Sequence, residues 1–403
     1  MKLKLSILIL CLISNGFYAQ TVKDHKVSFK YVQLPLEPFD KSVSTYDVVF
    51  VSNFDKTNED TLAAYEERLS QAQKEQENLL QLWNADKLRI DRLYYSEMAV
   101  WEKAVNAGST TAVQPIKQPY PDYPILKEVS DPIYTEEVDV DFCKQKINLA
   151  GYQKGEAGVI VTINHKGLQS ARISKTITGS GANRSYRYTA HFKMPIDVTI
   201  EVPNQGVIYN KSYYSNESIS PISSEKSQYD FQLWWLDNKD VFWTNFQKKK
   251  LTSLLNELNS HMNTTYGFPN KSSESEIYVI KKYKDFDYAK FVDALTFAKI
   301  GYQKLSQGVD KESAKENLSK AIAIWNNELS QSTPSENKSR INKKATALLY
   351  ANLAEAHMWI DEFDKADLFI NKAITLGVLK YKNHCKRLQD RMVNLKLRYN
   401  SNN

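Results

Sequence analysis

Cysteine is nearly absent from this chain of 403 residues, which holds only Cys11, Cys143 and Cys385. The last two stand far apart and in different expected domains, so they read as isolated buried thiols and not as a disulfide framework. Glycine is also sparse, at 13 residues. No cluster of it lies between a strand and a helix, which excludes a nucleotide-binding loop. The nearest candidate, "TGSGANRS" with Gly179 and Gly181, falls between two strand-like runs and reads as a hairpin turn. The histidines are His25, His165, His191, His261, His357 and His384, and none pairs with another at metal-ligand spacing. We therefore expect no metal and no cofactor. No G-x-S-x-G surrounds a serine. The acidic run "EEVDVD" (Glu136, Glu137, Asp139, Asp141) reads as a solvated strand face before a calcium edge or a glycosidase-like pair. Past the N-terminus no apolar run approaches 18 residues, so the mature chain is expected to have no transmembrane segment. A net charge of +6 is too mild to point to nucleic acid.

What is present begins with an address. In "MKLKLSILILCLISNGFYAQ", Lys2 and Lys4 precede an uncharged apolar run from Leu5 to Ile13, a polar break and Ala19. That is the layout of a secretory signal peptide over residues 1–19, too short to span a bilayer. Cys11 lies inside the apolar run, not at its end, so it does not mark a lipid attachment site. We expect export to the periplasm or cell envelope of a bacterium, with secretion as a further destination.

Residues 20–57 alternate in the manner of strands, as in "VSFKYVQLPL" and "YDVVFVSN". The period then changes. From 58 to 107 there is no proline, and Leu62, Tyr65, Leu69, Ala72, Leu79, Trp83, Ile90, Tyr94, Met98, Trp101 and Val105 step by threes and fours or their multiples. This predicts one helix roughly 70 Å long. Its apolar stripe needs a cover, and we expect the C-terminal helices to supply it. A proline-rich return follows, with prolines at 115, 119, 121, 124 and 132. Short, turn-punctuated β runs then extend to 220. Over 20–220 we expect an antiparallel β-sandwich, with the long helix inserted between its first two strands and the remainder (108–220). The serine-rich "SNESISPISSEKS" reads as a linker to a helical domain over 228–403. Near its start, helix N-caps are expected at Asp237 or Asn238. The fold class expected is thus α+β and multidomain.

One stretch in the last quarter carries a family likeness. Tyr350-x2-Leu353-Ala354-x2-His357 is followed by Ala366-x3-Ile370 and Ala373, with Gly377 closing the run. It resembles a tetratricopeptide repeat, a helical hairpin whose small residues stand where two helices cross closely. A looser copy has Phe297-x2-Ile300-Gly301-x2-Lys304, then Ala314-x3-Leu318 and Ala321. The repeats span about 288–330 and 344–378; the rest of the chain resembles a bacterial secreted protein. The likeness implies a non-catalytic role in protein–protein contact on an inner helical face. Glu355, Met358 and Trp359 are the partner-binding candidates there. An alternative is glycan binding by the tryptophan-rich stretch that holds Trp234, Trp235 and Trp243, since aromatic faces suit the C–H surfaces of sugars. A second alternative is a hydrolase that the motifs do not reveal.

Overall fold

The computed structural model describes residues 20–52, 54–180, 184–222, 227–305 and 311–403. The expected signal segment and Gly181 lie outside the described residues. The chain is mixed α/β, 51% helical and 22% strand, so helices carry most of the packing and the sheets are small. Its first elements are β1 (Thr21–Val32), β2 (Thr45–Ser52), α1 (Asp55–Asn106), α2 (Val140–Lys146) and the two-residue β3 (Gln153–Lys154). Six strands follow: β4 (Val159–His165), β5 (Ser170–Thr178), β6 (Ser185–Lys193), β7 (Ile196–Val202), β8 (Gly206–Tyr213) and β9 (Ser218–Ile222). Next come α3 (Gln228–Thr265) and β10 (Asn270–Lys282). The chain ends in α4 (Ala289–Leu305), α5 (Lys311–Leu329), α6 (Lys343–Trp359), α7 (Phe363–Leu376) and α8 (Leu379–Asn402).

Two compact units emerge, and neither is one continuous segment. A helical unit comprises Met1–Thr45, Asn148–Lys154 and Glu257–Asn403; a sheet unit comprises Tyr46–Ile147 and Gly155–Asn256. Their boundary falls within α3 and not at the serine-rich stretch. That stretch is no plain linker either, because Ser218–Ile222 pairs with β6 as the strand β9.

In the helical unit β1 does not join the strands that follow it, as the sequence suggested. It pairs antiparallel with β10, from Thr21 opposite Lys282 to Val32 opposite Asn270. Alternation in "VSFKY" announces which side of β1 is buried (Val27, Phe29) but not which strand it meets. The expected strand "EIYVI" grows to 13 residues, and Ile277 to Ile280 are buried consecutively. Both of its sides are covered, as α4 and α6 each pack on β10. Helix α6 is capped by Asn342, whose side chain accepts from Lys344 N and Ala345 N. It buries 14 of its 17 residues, the mark of a helix enclosed on every side. Its neighbours α5, α7, α8 and β10 do the enclosing. Gly377 ends α7 in the left-handed region, with φ 76°, where an L side chain would be strained.

In the sheet unit, β2, β4, β7 and β8 run side by side. β4–β7 and β7–β8 are antiparallel, but β2 and β4 are parallel. A parallel pair needs a long crossover, and the stretch holding α1 provides it. The purely antiparallel expectation therefore fails at the β2–β4 pairing. Val159, Val161 and Ile163 of β4, with Ile196, Val198 and Ile200 of β7, are wholly buried at alternate positions. A second sheet has the order β5-β6-β9, and β5 and β6 form the hairpin expected around Gly179. The acidic run is no strand: Asp139 caps α2 by accepting from Phe142 N. Helix α3 begins earlier than the sequence suggested. Ser227 Oγ accepts from Asp230 N at 3.2 Å and donates to the Asp230 carboxylate, so Asp237 and Asn238 lie inside the helix.

Helix α1 matches its expected span to within a few residues, yet what covers it differs. Trp101 Nε1 donates to Ala112 O (3.3 Å), and Trp83 Nε1 donates to Pro121 O (2.8 Å). Midway, Lys117 and Tyr120 both meet Asp91 Oδ1, at 2.6 and 2.7 Å. Two different rises explain the match. Nine proline-rich extended residues span about 28 Å at 3.1 Å each, and eighteen helical residues span about 27 Å at 1.5 Å each. The return segment thus runs back along the stripe in register, where the C-terminal helices were expected. At its base the helix is tied by Asn58, which exchanges two hydrogen bonds with the backbone of Thr135.

Candidate functional site

The inner face of α6 was expected to be open, and it is filled. Glu355 and Met358 are 1% exposed and Trp359 is 6% exposed. The occupant is the chain's own ribbon. Asn352 donates through Nδ2 to Tyr278 O (2.8 Å) and accepts from Tyr278 N (2.9 Å), so one side chain pairs like a strand with the edge of β10. One turn on, Glu355 Oε2 accepts from Glu276 N at 3.3 Å and lies 3.2 Å from His384 Nε2. Trp359 packs its ring edge-on against Phe29 and Tyr31 of β1, at 4.9 and 5.0 Å. Glu355 and Trp359 thus tie α6 to the β1–β10 pair, while Met358 and Trp359 also border a cavity of about 200 Å³ with Tyr31, Leu34 and Arg398. Asn352 was the signal that sequence reading missed: a polar side chain in an otherwise alanine- and leucine-rich helix needs a polar partner.

A further buried polar group of α6 finds its partner locally through one ring nitrogen, while His357 Nε2 has none among the described residues. His357 stacks on Phe369 and sits 2.6 Å from a Glu362 oxygen, and burial holds its pKa below the usual histidine value. Burial pushes the Cys385 thiol up to about 12 and the Cys143 thiol to about 11, so neither is a thiolate nucleophile near neutral pH. Both are free and buried.

The tryptophans lie in the sheet unit, where they build the packing of α3 on the β5-β6-β9 sheet. Phe231 stacks on Tyr188 of β6 at 3.5 Å, and Phe246 meets Phe192 of β6 edge-on at 5.0 Å. Between them Trp235 contacts Phe231, Phe242 and Trp243. Trp243 is 2% exposed, and Trp234 and Trp235 are half-buried. In the same unit His165 is buried against Phe54 and accepts from Gly167 N, and loss of solvent lowers its pKa to about 4.

The exposed apolar surface is elsewhere. On α1, Leu82 (65%), Leu93 (42%) and Val100 (69%) share a side about a quarter-turn from the stripe that the return segment covers, and Leu79 (50%), at the stripe's margin, lies between the two. The return segment adds Ile116 and Ile125, both more than 80% exposed. Among the described residues no group of three or more His, Cys, Asp or Glu could hold a metal ion. No described helix is long and apolar enough to cross a membrane. No protein-family model matches the chain, and a search of curated proteins finds no match.

Proposed function

We propose that this is an exported, non-catalytic protein that works through protein–protein contact. In this reading residues 1–19 direct export to a bacterial periplasm or envelope. The four helices α4 to α7 form two tetratricopeptide-like hairpins, and the sheet unit is a β-sandwich. What supports the hairpin reading is close helix approach: a Cβ added at Gly301 would come within 2.7 Å of Leu318. Ala354 and Ala366 are likewise fully buried. With Asn352 and Glu355 engaged by β10 and Trp359 by β1, the hairpins act as a scaffold, and the contact surface moves to α1.

The observation that carries this reading is the row Leu79, Leu82, Leu93 and Val100, left exposed on a helix of 52 residues. Aliphatic side chains repeated along one face of a helix, with polar Asp86 and Arg89 between them, are what a partner helix recognises. A photo-crosslinking amino acid at Leu82 tests it in the native envelope. The expected result is a discrete adduct that is lost with Val100→Asp in the same chain. An adduct pattern no different from that of a probe at exposed Lys211 overturns it.

A further inference from the structure

A cleft of about 700 Å³ opens within the sheet unit, distinct from the leucine row and from the ribbon. One wall is the first turns of α1, with Thr57, Asp60, Thr61, Ala64 and Arg68 along one side, about 16 Å of helix. The opposite wall is Leu168–Ile173, leading into β5, and Ser130–Ile133 closes one side. Trp235 and Trp243 contribute the aromatic surface. Trp234, which the sequence grouped with them, does not line the cleft.

Its charges decide what fits. Two of the four ionised side chains are already matched: Asp131 by Lys239, and Arg172 by Glu217 at 3.0 Å. Asp60 has no hydrogen-bond or ion-pair partner among the described residues, and Arg68 uses only Nε, toward Ala64 O at 3.2 Å. One free acid and one free base leave the wall neutral, so it offers a phosphate or a metal ion no concentrated charge. Hydroxyls fill the remainder. Thr57 and Thr61 donate to Lys166 O and Thr57 O, which leaves their oxygens as acceptors. Ser130 and Ser170 have no side-chain partner among the described residues. An apolar ligand would strand these groups, each at a cost in unmet hydrogen bonds. A ligand dense in hydroxyls, with a C–H face for Trp235, satisfies them together.

We infer that this cleft binds a neutral oligosaccharide, with Asp60 accepting and Arg68 donating to its hydroxyls and Trp235 supporting a ring face. This site does not depend on the protein-contact reading, and the two can fail separately. Isothermal titration of the full mature chain with chitotriose, cellotriose, maltotriose and laminaritriose tests it. We expect saturable binding of at least one, weakened about tenfold by Asp60→Ala and by Arg68→Ala, each the loss of a charge-assisted hydrogen bond. Leu82→Gln should leave it unchanged. Both cleft substitutions replace exposed side chains, so unaltered melting checks that the fold is intact. If none of the four sugars binds at about 10 mM, or if binding survives both alanine variants, the inference is overturned.

Discussion

Helices α6 and α1 meet opposite fates, and the two units that hold them differ in the same way. α6 hides 14 residues of 17, whereas α1 hides only Ala72 and Ile90 of its 52. In the helical unit a continuous apolar cluster runs from Val27 and Phe29 through β10 to Met392. In the sheet unit the sheets are well filled, yet large apolar side chains such as Leu82, Val100, Ile116 and Leu236 stay exposed. The lesson is that helical periodicity marks a side that seeks cover without fixing how many layers will arrive. Where several elements converge, as on α6, a helix is enclosed; where one thin extended segment arrives, as on α1, most of its circumference remains open.

The comparison can be broken most forcefully at Asn352. Replacing it by leucine leaves Tyr278 N and O buried without partners, at roughly 2 kcal/mol each, so Asn352→Leu should destabilise the helical unit by about 4 kcal/mol in urea denaturation. A loss under about 1 kcal/mol would mean that the ribbon is not held by this pair.

Next in size is a pH effect confined to the sheet unit. His165 is 2% exposed, and its folded pKa of about 4 lies below the unfolded value of 6.5. The unfolded chain therefore binds a proton that the folded chain refuses. The stability so provided is full above pH 6.5 and is lost as pH falls from there to about 4, amounting to about 3 kcal/mol. His165→Gln keeps an acceptor for Gly167 N and should flatten that part of the stability–pH curve. An unchanged slope would show that His165 protonates without penalty.

The smallest effect is expected on the open side of α1. Leu88 is 56% exposed, and Leu88→Gln should alter the melting free energy by no more than about 0.5 kcal/mol. A loss of about 2 kcal/mol or more would reveal that this side is covered in solution, and the contrast with α6 would shrink.

How far the sequence went can be judged residue by residue. Helix α1 was legible because about fourteen turns without proline leave little else for that pattern to be. The hairpin around Gly179 and the free, buried thiols were legible for equally local reasons. The start of α3 was not, because Asp237 and Ser227 are both good caps and only the wider packing chooses between them. Of the candidate site, the sequence grouped Glu355, Met358 and Trp359 on one face, but how far that face was buried depended on a strand some 80 residues earlier. The cleft left even less trace, since Asp60, Ser130, Gln169 and Trp235 come from four separate segments.

By itself, then, the sequence determined the long helix α1, the alternating strands and the small residue at the close approach of Gly301 to Leu318, all set by backbone propensity and side-chain size over a few residues. Tertiary structure alone decided that β1 pairs with β10, that β2 lies parallel to β4, and that prolines instead of helices line α1. Those choices are between surfaces of similar hydrophobicity, and shape and hydrogen-bond matching over long loops settles them. A local pattern carries no record of that competition.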